Sequence, residues 1–460
     1  MTDEPIRFVA VIDIGKTNAK VALVDLQSLS EVAIETTPNM VSKSGPYPHF
    51  DDAKLWAFIQ AALKKLNAFQ TIDAISITTH GACAALLEED GNLATPVLDY
   101  EHDGPDFLTA QYDAIRPPFS ETGSPRLAMG LNLGAQLHWL FATQNGLKDG
   151  TKTILMWPQY WAYKLTGIKA NEVTSLGCHT DLWNAHTNAW SGLPKAQGWL
   201  NKLPEPVPAN TILGTVKPDI AAGLGFEKPI PVLAGIHDSN ASLYPHLLAR
   251  EAPFAVVSTG TWVVAMAVGG KAVTLDPARD TLINVNALGQ AVPSARFMGG
   301  REFEIIRKGI DSSFVQPSAA DANFVLSKFI MLLPAVEPRS GPFQGRKTKW
   351  THKLKDLTDG QRMVALSFYL ALMTSICLEM IGAEGPVIAE GPFAKNRLYV
   401  AMLEAACGRP VIAENTSQSG TSIGAALLAG GYMAKAPFPH RVQISASMDL
   451  YAALWRERLL

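Results

Sequence analysis

Two stretches of this chain share one layout, and a chain that uses it twice is constrained to a duplicated α/β architecture. Residues 7–12 (RFVAVI) read as a buried strand, Asp13–Asn18 (DIGKTN) as a turn, and residues 19–24 (AKVALV) as a second strand. Ala252–Gly269 (APFAVVSTGTWVVAMAVG) repeats strand, Gly-Thr turn and strand. Gly260 stands at the place of Gly15, and Ser258 at that of Asp13. Mixed sheet and helix segments follow each copy. Two related α/β domains are therefore expected, residues 1–248 and 249–460.

The remaining punctuation supports that division. Asp51–Leu66 reads as a capped helix, Ala74–Thr79 as a strand, and Ala84–Leu87 and Gly91–Leu98 as further sheet. Between about 100 and 230 Pro, Trp and Asn are frequent, and the short helices Leu133–Thr143 and Trp157–Leu165 sit among loops, as in an insertion that shapes a pocket. Ile230–Ala234 is expected as a strand and Ala241–Ala249 as a helix. The second half closes with a long helix at Gly360–Met380, a strand at Pro386–Ala389, a helix at Asn396–Cys407, a strand at Pro410–Ala413 and a small-residue helix from Gly420.

Composition removes several function classes. With 39 Lys+Arg against 42 Asp+Glu there is no basic footprint for a nucleic acid. Met363–Leu378 is apolar for sixteen residues, short of the roughly 20 that span a bilayer, and reads as a buried helix. The N-terminus has acids where a signal peptide needs bases. Four scattered cysteines without CxxC spacing exclude a zinc cluster and fit a reducing, cytoplasmic setting.

Chemistry concentrates at the turns. A glycine hairpin turn lets backbone N–H groups approach phosphate oxygens, and two of them can serve one anion. Around Gly15, Thr17 and Asn18 add side-chain donors and Lys16 a charge; Gly260 and Thr261 form the second turn. Asp13 is an acid beside a phosphate turn, which makes sense if Mg²⁺, directly or through water, screens it. Asp238, after a buried strand and before a helix, reads equally as a helix cap or a general base. Gly391, Phe393 and Asn396 lie in EGPFAKN, between a strand and a helix, where a purine could rest.

The ordered set resembles the FGGY family of carbohydrate kinases, within the actin–hexokinase superfamily. Asp13-Ile14-Gly15-Lys16-Thr17-Asn18 is similar to the family's first phosphate motif, Asp-x-Gly-(Thr/Ala)-(Thr/Ser)-(Ser/Asn). Thr79-His80-Gly81-Ala82 resembles the Met-His-Gly-Ala of xylulose kinases, and Pro96–Tyr100 the segment ending in a substrate-facing aromatic. Gln136-x-x-Trp139 stands where the family has Lys-x-x-Trp, and Leu165 to Trp190 resembles its Leu-Thr-Gly…Thr-Asp…Trp region. Gly235-x-x-Asp238-x-x-Ala241 resembles the segment with the catalytic aspartate, Thr259-Gly260-Thr261 the second phosphate motif, and Gly391…Asn396 with Ala405–Val411 the adenosine motif. Departures are Lys16 for a small residue, Gly391-Pro392-Phe393 for three glycines, Ser419 for an acid, and Tyr100-Glu101-His102-Asp103-Gly104 for Trp-x-Asp-x-Arg, without the Arg.

The resemblance implies two ribonuclease-H-like domains with a cleft between them and an ATP- and Mg²⁺-dependent sugar kinase. Asp238 would be the base. Gly15, Lys16, Thr17, Asn18, Gly260, Thr261, Gly391, Phe393 and Asn396 would hold the nucleotide. His80, Gly81, Tyr100, Glu101, Gln136 and Asp238 would meet a neutral ketose of five or six carbons. Sugar and ATP are the expected partners, with no nucleic acid or membrane, and a homodimer is allowed. The alternatives are a regulator that binds sugar or nucleotide without turnover and an actin-like structural protein.

Overall fold

A computed structural model describes residues 5–309, 316–414, 420–436 and 446–459. The chain divides into two compact units. The first holds residues up to 250, together with 283–291 and 418–435; the second holds the rest. Two pieces expected in the second domain, 283–291 and the Gly420–Leu427 helix, thus belong to the first unit.

In the first unit, β1 (Phe8–Ile14) turns back into β2 (Asn18–Asp25), which pairs with β3 (Ser30–Pro38). On its other side β1 runs parallel to β4 (Ala74–Thr79), and β4 parallel to β5 (Pro231–Leu233). β4 is buried at all six positions, as a strand covered on both faces must be. One face meets α1 (Asp52–Phe69); α2 (Leu133–Thr143) adds no residue to the core there, and α3 (Trp157–Thr166) joins α1 over the sheet. α1 supplies Leu55, Ile59, Leu63 and Leu66, a stripe at helical spacing, and starts where the Asp51 carboxylate accepts the Lys54 amide. Trp157 and Trp161 stack into the same core beside Phe50 and Tyr160.

The other face is closed by α4 (Asp238–Ala249) and the Gly420–Leu427 helix. α4 begins one turn before the expected Ala241, so Asp238 occupies its first turn with His237 as cap. Pro245 sits inside α4 and has no N–H to offer the Ala241 carbonyl. Gly424 approaches at that carbonyl so closely that a Cβ would lie 1.8 Å from it and 3.1 Å from Pro245 Cδ.

The second unit repeats the strand pattern. β6 (Phe254–Thr259) and β7 (Val263–Val268) form the hairpin, and β7 pairs antiparallel with β8 (Ala291–Phe297). α5 (Gly299–Arg307) follows β8. The apolar α6 (Asp359–Met380) is long and apolar enough to cross a membrane, but it lies buried in this unit's core. β9 (Val387–Glu390) runs parallel to β6, α7 (Arg397–Cys407) follows, and β10 (Val411–Glu414) runs parallel to β9. Asp13 is paired across from Thr78 of β4, and Ser258 from Glu390 of β9.

Gly91–Leu98 does not continue the main sheet. Ala84–Leu87 pairs with Thr153–Met156 in a separate two-stranded sheet, and Leu93 only bridges Leu87. The Asp90 carboxylate accepts the Asn92 amide at 2.9 Å, folding the chain back before a strand can form.

Because the Gly424 contact seats the helix that carries Asp238, Gly424→Ala is expected to destabilise the protein by about 1–3 kcal/mol. A thermal midpoint lower by several degrees checks this.

Candidate active site

The ends of β1, β4 and β5 and the first turn of α4 bring the candidate residues of the first unit together. Asp13 is the penultimate residue of β1. Its carboxylate lies 3.6 Å from Lys20 Nζ, which is shared with Glu31 at 2.8 Å. Burial raises the Asp13 pKa to about 6; Lys20 opposes the shift, while the charges of Asp238 and Glu31 add to it. A partly buried carboxylate with acidic neighbours and one shared lysine fits a hard cation such as Mg²⁺, whose ligands are oxygens.

At the hairpin tip the Gly15 amide donates to Asn18 O at 2.9 Å, so it is not free for a phosphate. Asn39 braces the turn, its Nδ2 donating to Gly15 O and its amide to Thr17 O. Thr17 and Asn18 are exposed, with the Asn18 amide on Thr17 Oγ1. The Lys16 ammonium, expected on phosphate, is instead hydrogen-bonded to Asp99 and lies 3.4 Å from Glu101. Two carboxylates outcompete open solvent for it.

His80 follows β4 and is buried between Phe50 and Tyr100, with ring centroids at 5.1 and 5.3 Å. Its Nδ1 donates to Gly81 O, and its buried Nε2 has no partner among the described residues. Burial holds its pKa below the ordinary histidine value, so Nε2 is an acceptor awaiting a donor. Gly81 is required by crowding: a Cβ there would lie 2.8 Å from His237 Nε2. Gln136, expected to touch substrate, spends its amide nitrogen on the carbonyls of Ala82 and Gly130. Only its carbonyl oxygen is left for a ligand.

Asp238 Oδ1 accepts the Ser239 amide at 2.6 Å and the Ser239 hydroxyl at 3.3 Å, with His237 Nε2 also at 3.3 Å. Oδ2 has no partner among the described residues, and the side chain is 35% exposed. Behind it lies a cluster that the sequence does not announce. His237 Nε2 is 3.5 Å from Cys178 Sγ, and the His237 amide donates to Thr174 Oγ1, whose hydroxyl donates to Glu172. Burial opposes charge on thiol and imidazole alike. His179 and His237 nevertheless pull the Cys178 pKa down to about 5, and Cys178, Asp238 and Glu172 hold His237 up to about 9. An imidazolium would be served by the Asn240 amide, 3.4 Å from Nδ1, turned oxygen-inward, which also pairs its otherwise orphaned Oδ1.

In the second unit the Gly260 amide likewise donates within its turn, to Trp262 O at 2.9 Å. Thr261 is exposed, and the Gly300 amide at the start of α5 donates to its carbonyl. Gly391, at φ 81°, is docked on β6: a Cβ there would lie 2.0 Å from Thr259 O. Thr259 Oγ1 donates to Glu390 O and accepts the Phe393 amide. Phe393 is not an open platform for a purine. Its ring is packed beside Phe303 and Tyr399 in the core. Asn396 is a helix cap: Oδ1 accepts the Leu398 and Tyr399 amides, and Nδ2 donates to Ser367. Ser419 lies outside the described residues.

Two sheets that share one order over five strands, each with a glycine turn after its first strand, define the actin–hexokinase class of α/β proteins. Residues 8–244 match the N-terminal domain of the FGGY family of carbohydrate kinases, and residues 251–437 match the FGGY C-terminal domain. The chain belongs to the FGGY family of carbohydrate kinases. A carbohydrate kinase from Novosphingobium aromaticivorans has a similar structure, with TM-score 0.90 and 33% identity over 99% of each chain. The xylulose kinase of Rhodospirillum rubrum shares the fold at TM-score 0.79 and 19% identity, over 98% of this chain and 97% of that one. The L-fuculokinase of Salmonella typhi is 25% identical over 271 residues, 57% of this chain and 57% of its own. The rhamnulokinase of Oceanobacillus iheyensis is 24% identical over 264 residues, 55% and 54%. The match thus spans little more than half the length of these curated relatives.

Since burial raises the Asp13 pKa, its ionised form destabilises the ligand-free protein above about pH 6, less between pH 6 and the unfolded value, and not at all below that. Asp13→Asn should therefore raise the thermal midpoint at pH 7.5, by a stability gain on the order of 1–3 kcal/mol, and leave it nearly unchanged at pH 4.

Proposed function

We propose that this protein transfers the γ-phosphoryl group of ATP to a hydroxyl of a small neutral sugar, a ketose of five or six carbons, with Asp238 as general base. The observation that carries this reading is the Asp238 carboxylate: one oxygen fixed by Ser239 and His237, the other open, at the N-terminus of a helix beside His80 and Asp13. Oδ2 accepts the acceptor hydroxyl's proton as that oxygen bonds to the γ-phosphorus and the bond to the ADP oxygen breaks. His80 Nε2 accepts a second sugar hydroxyl, and Tyr100 bounds the pocket. Asp13 would hold Mg²⁺, which supplies charge neutralisation to the phosphates when bound.

Residues 1–248 would serve chiefly the sugar and the first phosphate turn, and residues 249–460 the rest of the nucleotide. Donors at Thr17, Asn18 and Thr261, and the close approach that Gly260 and Gly391 allow, support that assignment. Phe393 and Asn396 act through structure, by packing and capping this region. A neutral acceptor is supported by Asp99, Glu101 and Asp103, whose charges exceed the one lysine among them. Relatives named L-fuculokinase and rhamnulokinase agree with a ketose.

Asp238→Asn preserves shape and removes proton acceptance, so kcat should fall by about 10²–10⁴-fold while sugar binding persists. Turnover near wild type would overturn the assignment. ADP release measured with ketoses, polyols, aldonates and sugar phosphates at matched concentration should favour the neutral ketoses. A preference for anionic acceptors, or nucleotide binding without sugar-dependent release, would overturn the substrate class or the activity respectively.

A further inference from the structure

We infer that Lys16, although it stands in the phosphate hairpin, is a specificity-determining residue of the acceptor pocket, where its ammonium donates to a sugar hydroxyl. This rests on the sugar-kinase reading above and deepens it. The ammonium is hydrogen-bonded to Asp99, lies 3.4 Å from a Glu101 oxygen, and sits 4.9 Å from the Tyr100 ring centroid and 5.2 Å from that of Phe50. Those two rings flank His80, whose Nε2 is buried and unpartnered among the described residues.

An ammonium has three protons in a fixed fan, and two carboxylates leave one undirected. Asp99 is buried and also accepts the Glu101 amide, so it fixes Lys16 from a rigid position. Glu101 is more than half exposed and bonds more loosely. The lysine side chain is only 18% exposed, which limits its alternatives. Its remaining proton and the bare His80 nitrogen therefore provide a donor and an acceptor around the same two aromatic faces. That combination matches a carbon bearing a hydroxyl, which both donates and accepts. The pairing also neutralises the lysine, because two carboxylates face one ammonium, so an anionic acceptor gains nothing from it.

The test compares wild type, Lys16→Met and the double variant Lys16→Met/Asp99→Asn, which removes the lysine without leaving the buried carboxylate unpaired. Steady-state kinetics are taken with the preferred ketose, its singly deoxygenated analogues and ATP. Loss of one charge-assisted hydrogen bond should raise the ketose KM about ten- to a hundredfold. The preference for the ketose over one deoxy analogue should shrink by a similar factor, while the ATP KM stays within about twofold. The double variant should fold as the wild type does and show the same split. A raised ATP KM with an unchanged ketose KM would overturn the inference and return Lys16 to the phosphates. A uniform loss of preference for every deoxy analogue, or no loss for any, would also overturn it. If the wild type itself turns over no acceptor, the sugar-kinase reading has failed, and this one with it.

Discussion

Carboxylates crowd together at the ends of β1 and β4, and the first unit is arranged around the cost of holding them. Asp13, Asp99, Glu101, Glu172 and Asp238 come from four separate stretches of sequence, and burial works against the ionised form of Asp13 and Glu172 alike. Each is met by a specific countermeasure. Lys20 leans on Asp13, Lys16 on Asp99 and Glu101, and the Thr174 and Ser175 amides and hydroxyls on Glu172. Asp238 gets the first turn of α4 and two donors on one oxygen. Strain of this kind is tolerated where a ligand or cation will later relieve it.

The two units answer the same problem with different chemistry. Each has a hairpin whose glycine amide is consumed inside the turn, so the glycine serves close approach more than donation. Asp13 in one copy becomes Ser258 in the other, where the facing residue on the neighbouring strand is Glu390. The second unit instead docks its Gly391 loop onto Thr259, where any side chain would collide with backbone.

What could be read from the sequence follows from range. The hairpins, α1, α6 and the strand before His80 were legible because their signals are local: alternation, a cap, a long apolar run. Phe393 and Asn396 were harder to read because the residue types that could touch a purine also fill cores and cap helices, and only packing shows the latter uses. Lys16 was legible as a charge in a turn, but its partner Asp99 lies 83 residues away, beyond any spacing argument. The Cys178–His237 contact and the hydrogen bond from the His237 amide to Thr174 likewise join distant segments. A buried acid followed by Thr and Ser was the one trace the latter left. Gly424 over Ala241 had a signal in retrospect: a proline inside a predicted helix leaves one carbonyl unclaimed.

The membership of the Gly420–Leu427 helix in the first unit bears on how the chain matures. Val9, Val11, Val24 and Leu233 share an apolar cluster with Ile423, Ala426 and Leu427, residues made some four hundred positions after β1. During synthesis the first sheet therefore emerges with one face covered only in part, by α4, and stays so while nearly the whole second unit is translated. A fragment ending at the apparent boundary would leave exposed the part of that face that Ile423, Ala426 and Leu427 cover, and be prone to association. The chain is thus two units in space but a single unit for completing its fold, and its last segments close what its first ones open.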